Sequence, residues 1–375
     1  MDALDRSLQK GGAEAFVMFG SSEYADMRYI TRFVTTDPFV FAKKRDERGF
    51  IVVSPMEYVR ASREAAVGVM SRTETDLLRY LEEEKDRWRA YALMIHDLVG
   101  GPILVPPDLP FALGKYLSDL TTVSVDSGTI PNMRARKRKT EVSEIRKVQE
   151  ATDAAMKRAT MMIRRSKPRR GVLYLGKQPL TSERIRSDMH RYLLKQGYQA
   201  KDTIVSCGKD AALPHKTGTG PLFSEEPIVI DVFPKSMTSG YFTDMTRTVS
   251  KGTPATDVVE MFQAVRDAQD LATAMLRPGV TGADIHQSVV EFFREQGFES
   301  GAEGFTHNLG HGVGLEVHEL PVLGPSGGIL KKGNVVTIEP GLYYPKIGGV
   351  RLENIGVIRG EGLDCMTRFP RELVL

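Results

Sequence analysis

Two apolar runs in the second half of the chain end in carboxylates, and this constrains the fold more than any other feature. Ile228-Val229-Ile230 leads directly into Asp231, and Val335-Val336-Thr337-Ile338 leads directly into Glu339. Short apolar runs bounded by turn-forming residues are the mark of buried strands. Each is followed by a turn-rich stretch and a returning strand that carries a second acid. The returns are Gly240-Tyr-Phe-Thr-Asp244 and Gly348-Gly-Val-Arg-Leu-Glu353. Two hairpins that each present an acid pair bring four carboxylates together if they pack side by side. The shared pattern is also a sign of internal two-fold duplication.

Four carboxylates in a partly buried site cannot all stay ionised without compensating charge. Two divalent cations are the simplest balance. Imidazole is a common further ligand, and His311 lies in His307-Asn-Leu-Gly-His311-Gly-Val-Gly-Leu-Glu-Val-His318-Glu. Glycines on both sides of His311 let its backbone approach closely. A set of Asp231, Asp244, His311, Glu339 and Glu353 is rich in oxygen, so manganese or cobalt suits it at least as well as zinc or iron. Taken singly, Asp231 or Glu339 could equally be a helix cap or half of an ion pair. His96, His190 and His286 have no acids grouped around them in sequence and read as packing or surface residues. Gly310-His-Gly-Val-Gly314 is no dinucleotide loop, because neither the following helix nor the downstream acid is in place.

The rest of the chain supplies the setting. With 375 residues there is room for two domains. The first third alternates strand-like runs (15–19, 50–54, 103–105 and 121–125) with a helical pattern over 73–98, and reads as an α/β domain. From Thr140 the character changes to amphipathic helices at 140–163, 181–196, 257–276 and 283–296. Between and after them lie β-type segments at 227–233, 241–249, 335–338 and 350–357, an α+β pattern with an antiparallel sheet. Two cysteines, Cys207 and Cys365, exclude a disulfide framework, and no secretory leader or membrane-length apolar run is visible. These features point to a cytoplasmic protein. The net charge of +3 is too small to imply nucleic acid. The basic clusters at 134–139 and 164–170 lack interleaved aromatics and read as solvated surface.

These segments together resemble the pita-bread metallopeptidases, the group of methionine aminopeptidase, aminopeptidase P and prolidase. Tyr29-Ile-Thr-Arg-Phe33 is similar to the first-domain signature of the prolidase and aminopeptidase P branch, and Thr140-Glu-Val-Ser-Glu-Ile-Arg146 to the segment entering the catalytic domain. Asp231, Asp244-Met-Thr-Arg-Thr248, Gly310-His-Gly-Val-Gly314, Ile338-Glu-Pro-Gly341 and Arg351-Leu-Glu353 resemble the five metal-ligand segments, in family order. The resemblance implies a creatinase/prolidase-like N-terminal domain at 1–132 and a pita-bread catalytic domain at 133–375. It implies hydrolysis of the N-terminal bond of Xaa-Pro peptides by a hydroxide bridging two metal ions. Glu339 would take the proton, His318 would steady the scissile carbonyl, and His215 would contact substrate. His307, Arg351 and Tyr343 would stand behind the ligands. A homodimer is expected on the same ground. One departure is the longer segment between Asp231 and Asp244, with Phe233 where the family has glycine. A non-catalytic binding protein, or a creatinase-like hydrolase without metal, would lack ligands that are all filled here.

Overall fold

The computed structural model describes residues 2–375. The chain forms two compact units, one ending at Arg134 and one spanning Ala135–Leu375. Among the described residues no helix is long and apolar enough to cross a membrane.

The first unit is built on a six-stranded mixed sheet. Its order is Gly68–Ser71, Phe50–Val53, Phe39–Lys44, Ala15–Gly20, Ile103–Val105, Val123–Val125. The inner pairs are antiparallel and the outer ones parallel. Side chains alternate across a sheet, and both faces here are covered by helices, so the central strands are apolar throughout. Ala15 and Val17 join one buried cluster, whereas Phe16 and Met18 join the other. The helical stretch expected over 73–98 divides into Leu77–Glu83 and Arg87–Val99. Asp86 causes the break: its carboxylate accepts the Trp88 amide at 2.8 Å and caps the second helix.

One expectation about the basic cluster at 134–139 is corrected. Arg134 and Lys137 are buried, because each meets a carboxylate inside the fold. Arg134 donates to Asp26 at 2.6 Å, and Lys137 donates to Glu319 at 2.6 Å. The cluster at 164–170 is solvated as expected.

In the second unit each acid-bearing hairpin rests on its own pair of helices. Ile228–Val232 and Met245–Val249 pack against Lys139–Arg165 and Ser182–Lys195 through Ile228, Ile230, Val232, Ala155, Ile163, Ile185 and Met189. The second hairpin packs against Thr256–Met275 and Gly282–Glu295 through Val336, Ile338, Val350, Val265 and Val289. These helices carry apolar residues at three- and four-residue spacing. Thr181 and Thr281 cap two of them by accepting the amides of Arg184 and Asp284.

Both returning strands differ from the sequence expectation. The first forms its ladder only from Met245 onward, and Phe242 before it makes an isolated bridge with Lys235. The second is two strands, Gly348–Arg351 and Asn354–Ile358. The former pairs with Gly341–Tyr344 and the latter with Val335–Ile338. Glu339-Pro340 and Leu352-Glu353 face each other across the gap. Proline offers no amide to a ladder, which interrupts the pairing where the glutamates sit.

Candidate metal centre

Asp231 lies within its strand, opposite Thr246, and Asp244 immediately precedes the returning strand. Residues two apart on a strand share a face, so Asp231, Asp244 and Thr246 project to the same side. The glutamates arrive from the break in the second hairpin. There the Glu353 amide donates to the Thr246 carbonyl at 3.0 Å, and the Arg351 amide donates to Thr248 Oγ1 at 2.9 Å. The two hairpins therefore meet edge to edge at the level of their acids.

His311 comes from the strand Gly310–Gly312, where Gly312 pairs with Val336 and the His311 amide donates to Thr337 Oγ1 at 3.1 Å. A Cβ at Gly310 would strike the Thr337 carbonyl, and one at Gly312 the Leu320 carbonyl. Only glycine lets this strand press so close. His311 Nδ1 lies 3.1 Å from the Gly312 carbonyl, which leaves Nε2 as the outward-facing donor atom. That Nε2 stands 3.1 Å from Glu339 Oε1 and 3.8 Å from Asp244 Oδ2. Asp244, His311 and Glu353 each offer a ligand atom within 4.8 Å of the others.

Behind them runs a buried polar chain. His307 Nε2 is 2.9 Å from the Tyr343 hydroxyl, which accepts from Arg351 at 2.8 Å. Arg351 also donates to Asp231 Oδ2 at 2.7 Å and to Thr246 Oγ1 at 3.2 Å. Burial pushes the Tyr343 hydroxyl up to about 12.

The electrostatics show a deficit of positive charge. Burial, with Glu353, Asp231 and Glu339 close by, raises Asp244 well above the usual carboxylate range. Burial and the charges of Glu339 and Asp231 push Glu353 up to about 8. Burial would also raise Glu339, but its hydrogen bond to His311 and the charges of His311, His307 and Arg351 hold it down to about 2. His311 is pushed up to about 9: burial opposes its protonation, but Glu339 and Glu353 outweigh that. Among the described residues, the four acids meet Arg351 and a protonated His311 as ion-pair partners. Asp231 Oδ1, Asp244 Oδ1 and Glu353 Oε1 are buried and have no hydrogen-bond partner. An orphaned buried acceptor costs roughly 1–3 kcal/mol, more when charged. Three orphans on neighbouring acids, beside one imidazole nitrogen, form a donor set that fits divalent cations.

The other sequence candidates sit around this core. His318 is exposed, and its ring stands 4.2 Å from that of His311. Partial loss of solvent around the ring and the neighbouring His311 lower its pKa. His215 is exposed and close enough to His307 and His318 to add to burial in lowering their pKa values. His190 instead bonds Thr203 at 2.8 Å, His286 packs on Phe305, and His96 belongs to the first unit.

Three further residues complete the surroundings. Thr246 Oγ1 donates to Glu353 Oε2 at 2.9 Å. Gln269 donates to the Ile338 and Leu352 carbonyls at 2.8 and 2.9 Å, spanning the strand break. Arg247 is buried and donates to the Glu353 carbonyl at 2.6 Å. Alternation from Asp244 points to Thr246 in the sequence, but nothing there separates Gln269 from other polar helix positions.

The sequence profile of metallopeptidase family M24 matches residues 143–360. An uncharacterized peptidase of Bacillus subtilis is 35% identical over 209 residues, which cover 55% of this chain and 58% of that protein. An Xaa-Pro dipeptidase of Pyrococcus furiosus is 34% identical over 250 residues, which cover 65% of this chain and 66% of that one. The matched stretches thus span less than two thirds of either relative. The prolidase structure from Pyrococcus horikoshii aligns with a TM-score of 0.82 and 25% identity, over 99% of this chain and 98% of its own.

Proposed function

Because the chain belongs to metallopeptidase family M24, we propose that it hydrolyses the N-terminal peptide bond of Xaa-Pro peptides at a dinuclear divalent-metal site. The observation that carries this reading is the set of orphaned carboxylate oxygens on Asp231, Asp244 and Glu353 beside Nε2 of His311. Asp231, Asp244, His311, Glu339 and Glu353 would hold two ions, manganese or cobalt in preference to zinc or iron. Bound there, they supply charge that makes water nucleophilic at neutral pH.

The side chains divide the remaining work. Glu339, held ionised beside His311, accepts the proton of the attacking water. His318, outside the acid cluster, donates to the oxygen of the scissile carbonyl as negative charge develops there. His215 borders the same space and places the peptide. His307, Tyr343 and Arg351 fix Asp231 through the buried chain of hydrogen bonds. The relative in Pyrococcus furiosus and the structural neighbour in Pyrococcus horikoshii bear the names Xaa-Pro dipeptidase and prolidase, which supports proline at the second position. A homodimer in the cytoplasm completes the proposal.

The test is a panel of Xaa-Pro dipeptides, Xaa-Pro-Yaa tripeptides and their Xaa-Ala counterparts, with the protein stripped and then reloaded with manganese, cobalt or zinc. Release of Xaa from the proline series alone, lost on stripping and restored by metal, is expected. Equal turnover of the alanine series, or undiminished activity after complete stripping, would contradict it.

A further inference from the structure

Lys137 and Glu319 form an ion pair of 2.6 Å in which the side chains are 1% and 5% exposed. Such a pair is weak evidence for stability, because withdrawing both charges from water offsets their attraction. What it provides is a fixed geometry, and its location says what is fixed. Glu319 follows His318 directly and pairs across the sheet with Gly312, the neighbour of His311. The other oxygen of Glu319 accepts the Glu316 amide at 3.4 Å. A Cβ on Gly314 would collide with this carboxylate, so the turn at 313–319 is folded tightly around Glu319.

The other end of the pair is anchored to a metal-ligand strand. The Lys137 amide donates to the Gly333 carbonyl at 2.9 Å, and Asn334 Nδ2 donates to the Ala135 carbonyl at 2.8 Å. Gly333-Asn334 opens directly into Val335–Ile338, the strand that delivers Glu339. Lys137 thus joins the root of the Glu339 strand to the turn that carries His318.

We infer that Lys137 is a positioning residue, whose buried contact with Glu319 holds the His318 ring in register with His311 and Glu339. The inference rests on the proposed role of His318 toward the scissile carbonyl. A donor displaced by about 1 Å can lose on the order of a hundredfold in rate without any change at the ligands. Without Lys137, Glu319 loses the buried cation it meets at 2.6 Å, and the turn that carries it can shift.

The experiment is a double-mutant cycle on the metal-loaded protein with Lys137→Met, His318→Ala and the two combined. Metal content and thermal unfolding are followed alongside kcat and KM. Lys137→Met should lower kcat ten- to hundredfold, with KM within about twofold and metal content unchanged. In the combined variant kcat should be no lower than in His318→Ala alone. The imidazole NMR signal of His318 in metal-free protein should move in Lys137→Met. If Lys137→Met does not fold, pairing it with Glu319→Gln removes the charge that Lys137 balances, and the same cycle is run on that background. Wild-type kcat in Lys137→Met, or losses that multiply in the combined variant, would overturn the inference. Wild-type kcat in His318→Ala would instead overturn the role of His318.

Discussion

Asp5 and Glu353 are both closed off from water, yet their carboxyls are displaced in opposite directions. Burial works against the charge of Asp5, but hydrogen bonds from Lys43 and the Asp46 amide prevail and lower it to about 2. Burial has the same sense at Glu353, and there neighbouring acids reinforce it, pushing the carboxyl up to about 8. The contrast extends to the partners. In the first unit Asp5 meets Lys43 at 2.7 Å, and Asp26 meets Arg134 at 2.6 Å. In the second unit four acids share Arg351 and His311, and three of their oxygens are orphaned. Burial alone therefore does not mark a metal site. The signature is buried acid in excess of the cations that the chain itself provides.

Removing one acid should break the contrast most severely. Asp244→Asn takes away one charge and one good ligand, and is expected to lose at least one metal ion. Turnover should fall by roughly a thousandfold or more (about 4 kcal/mol). Elemental analysis and steady-state kinetics check this, and two tightly bound ions with full turnover would contradict it. In the first unit the same logic predicts the reverse dependence. Arg134→Met leaves Asp26 without the cation it meets at 2.6 Å and should destabilise that unit by about 3–5 kcal/mol, with metal content intact. Denaturant unfolding and elemental analysis together test this.

The pH dependence of the second unit sharpens the comparison. A carboxyl whose folded pKa is raised binds a proton in the native state where the unfolded chain has released it. For Glu353 that window runs from about 4.5 to about 8. His311, pushed up from 6.5 to about 9, has the same sign, because its stabilisation is lost as pH rises through the folded value. Metal-stripped protein should thus lose stability as pH rises from about 4.5 toward 9, and metal-loaded protein should not. Melting curves across that range suffice. A flat profile for the stripped protein would contradict the assigned charge deficit.

The smallest expected effect concerns substrate length. Val322 lies opposite His311 in the sheet. Valine gives a dipeptide carboxylate no charge-assisted bond. The kcat/KM of an Xaa-Pro dipeptide should therefore exceed that of its carboxamide or the matching tripeptide by less than about tenfold.

The acid pairs and His311 are legible in the sequence because each interrupts a local pattern. An apolar strand that runs into Asp231 or Glu339, and an imidazole between two glycines, need no tertiary information to stand out. The helices around them are legible for the same reason, through their apolar spacing. The break in the second returning strand is not legible: Val350-Arg-Leu-Glu-Asn-Ile reads as one strand, and only pairing across Pro340 divides it. Lys137 and Arg134 are misread from composition, since a basic run says nothing of the distant carboxylates at Glu319 and Asp26. Gln269 is silent, because its role depends on two carbonyls 69 and 83 positions away.

The excess of buried acid is the central claim, and titration of metal-stripped protein with manganese at neutral pH tests it most directly. Calorimetry in buffers of different ionisation enthalpy counts the protons released as the ions bind. If Glu353 and Asp244 are held protonated and His311 charged, binding releases protons. That release should fall as the pH rises through about 8 and about 9, where Glu353 and His311 give up their protons without metal. Tight binding of two ions with no proton release at neutral pH would contradict the account, and so would a failure to bind them at all.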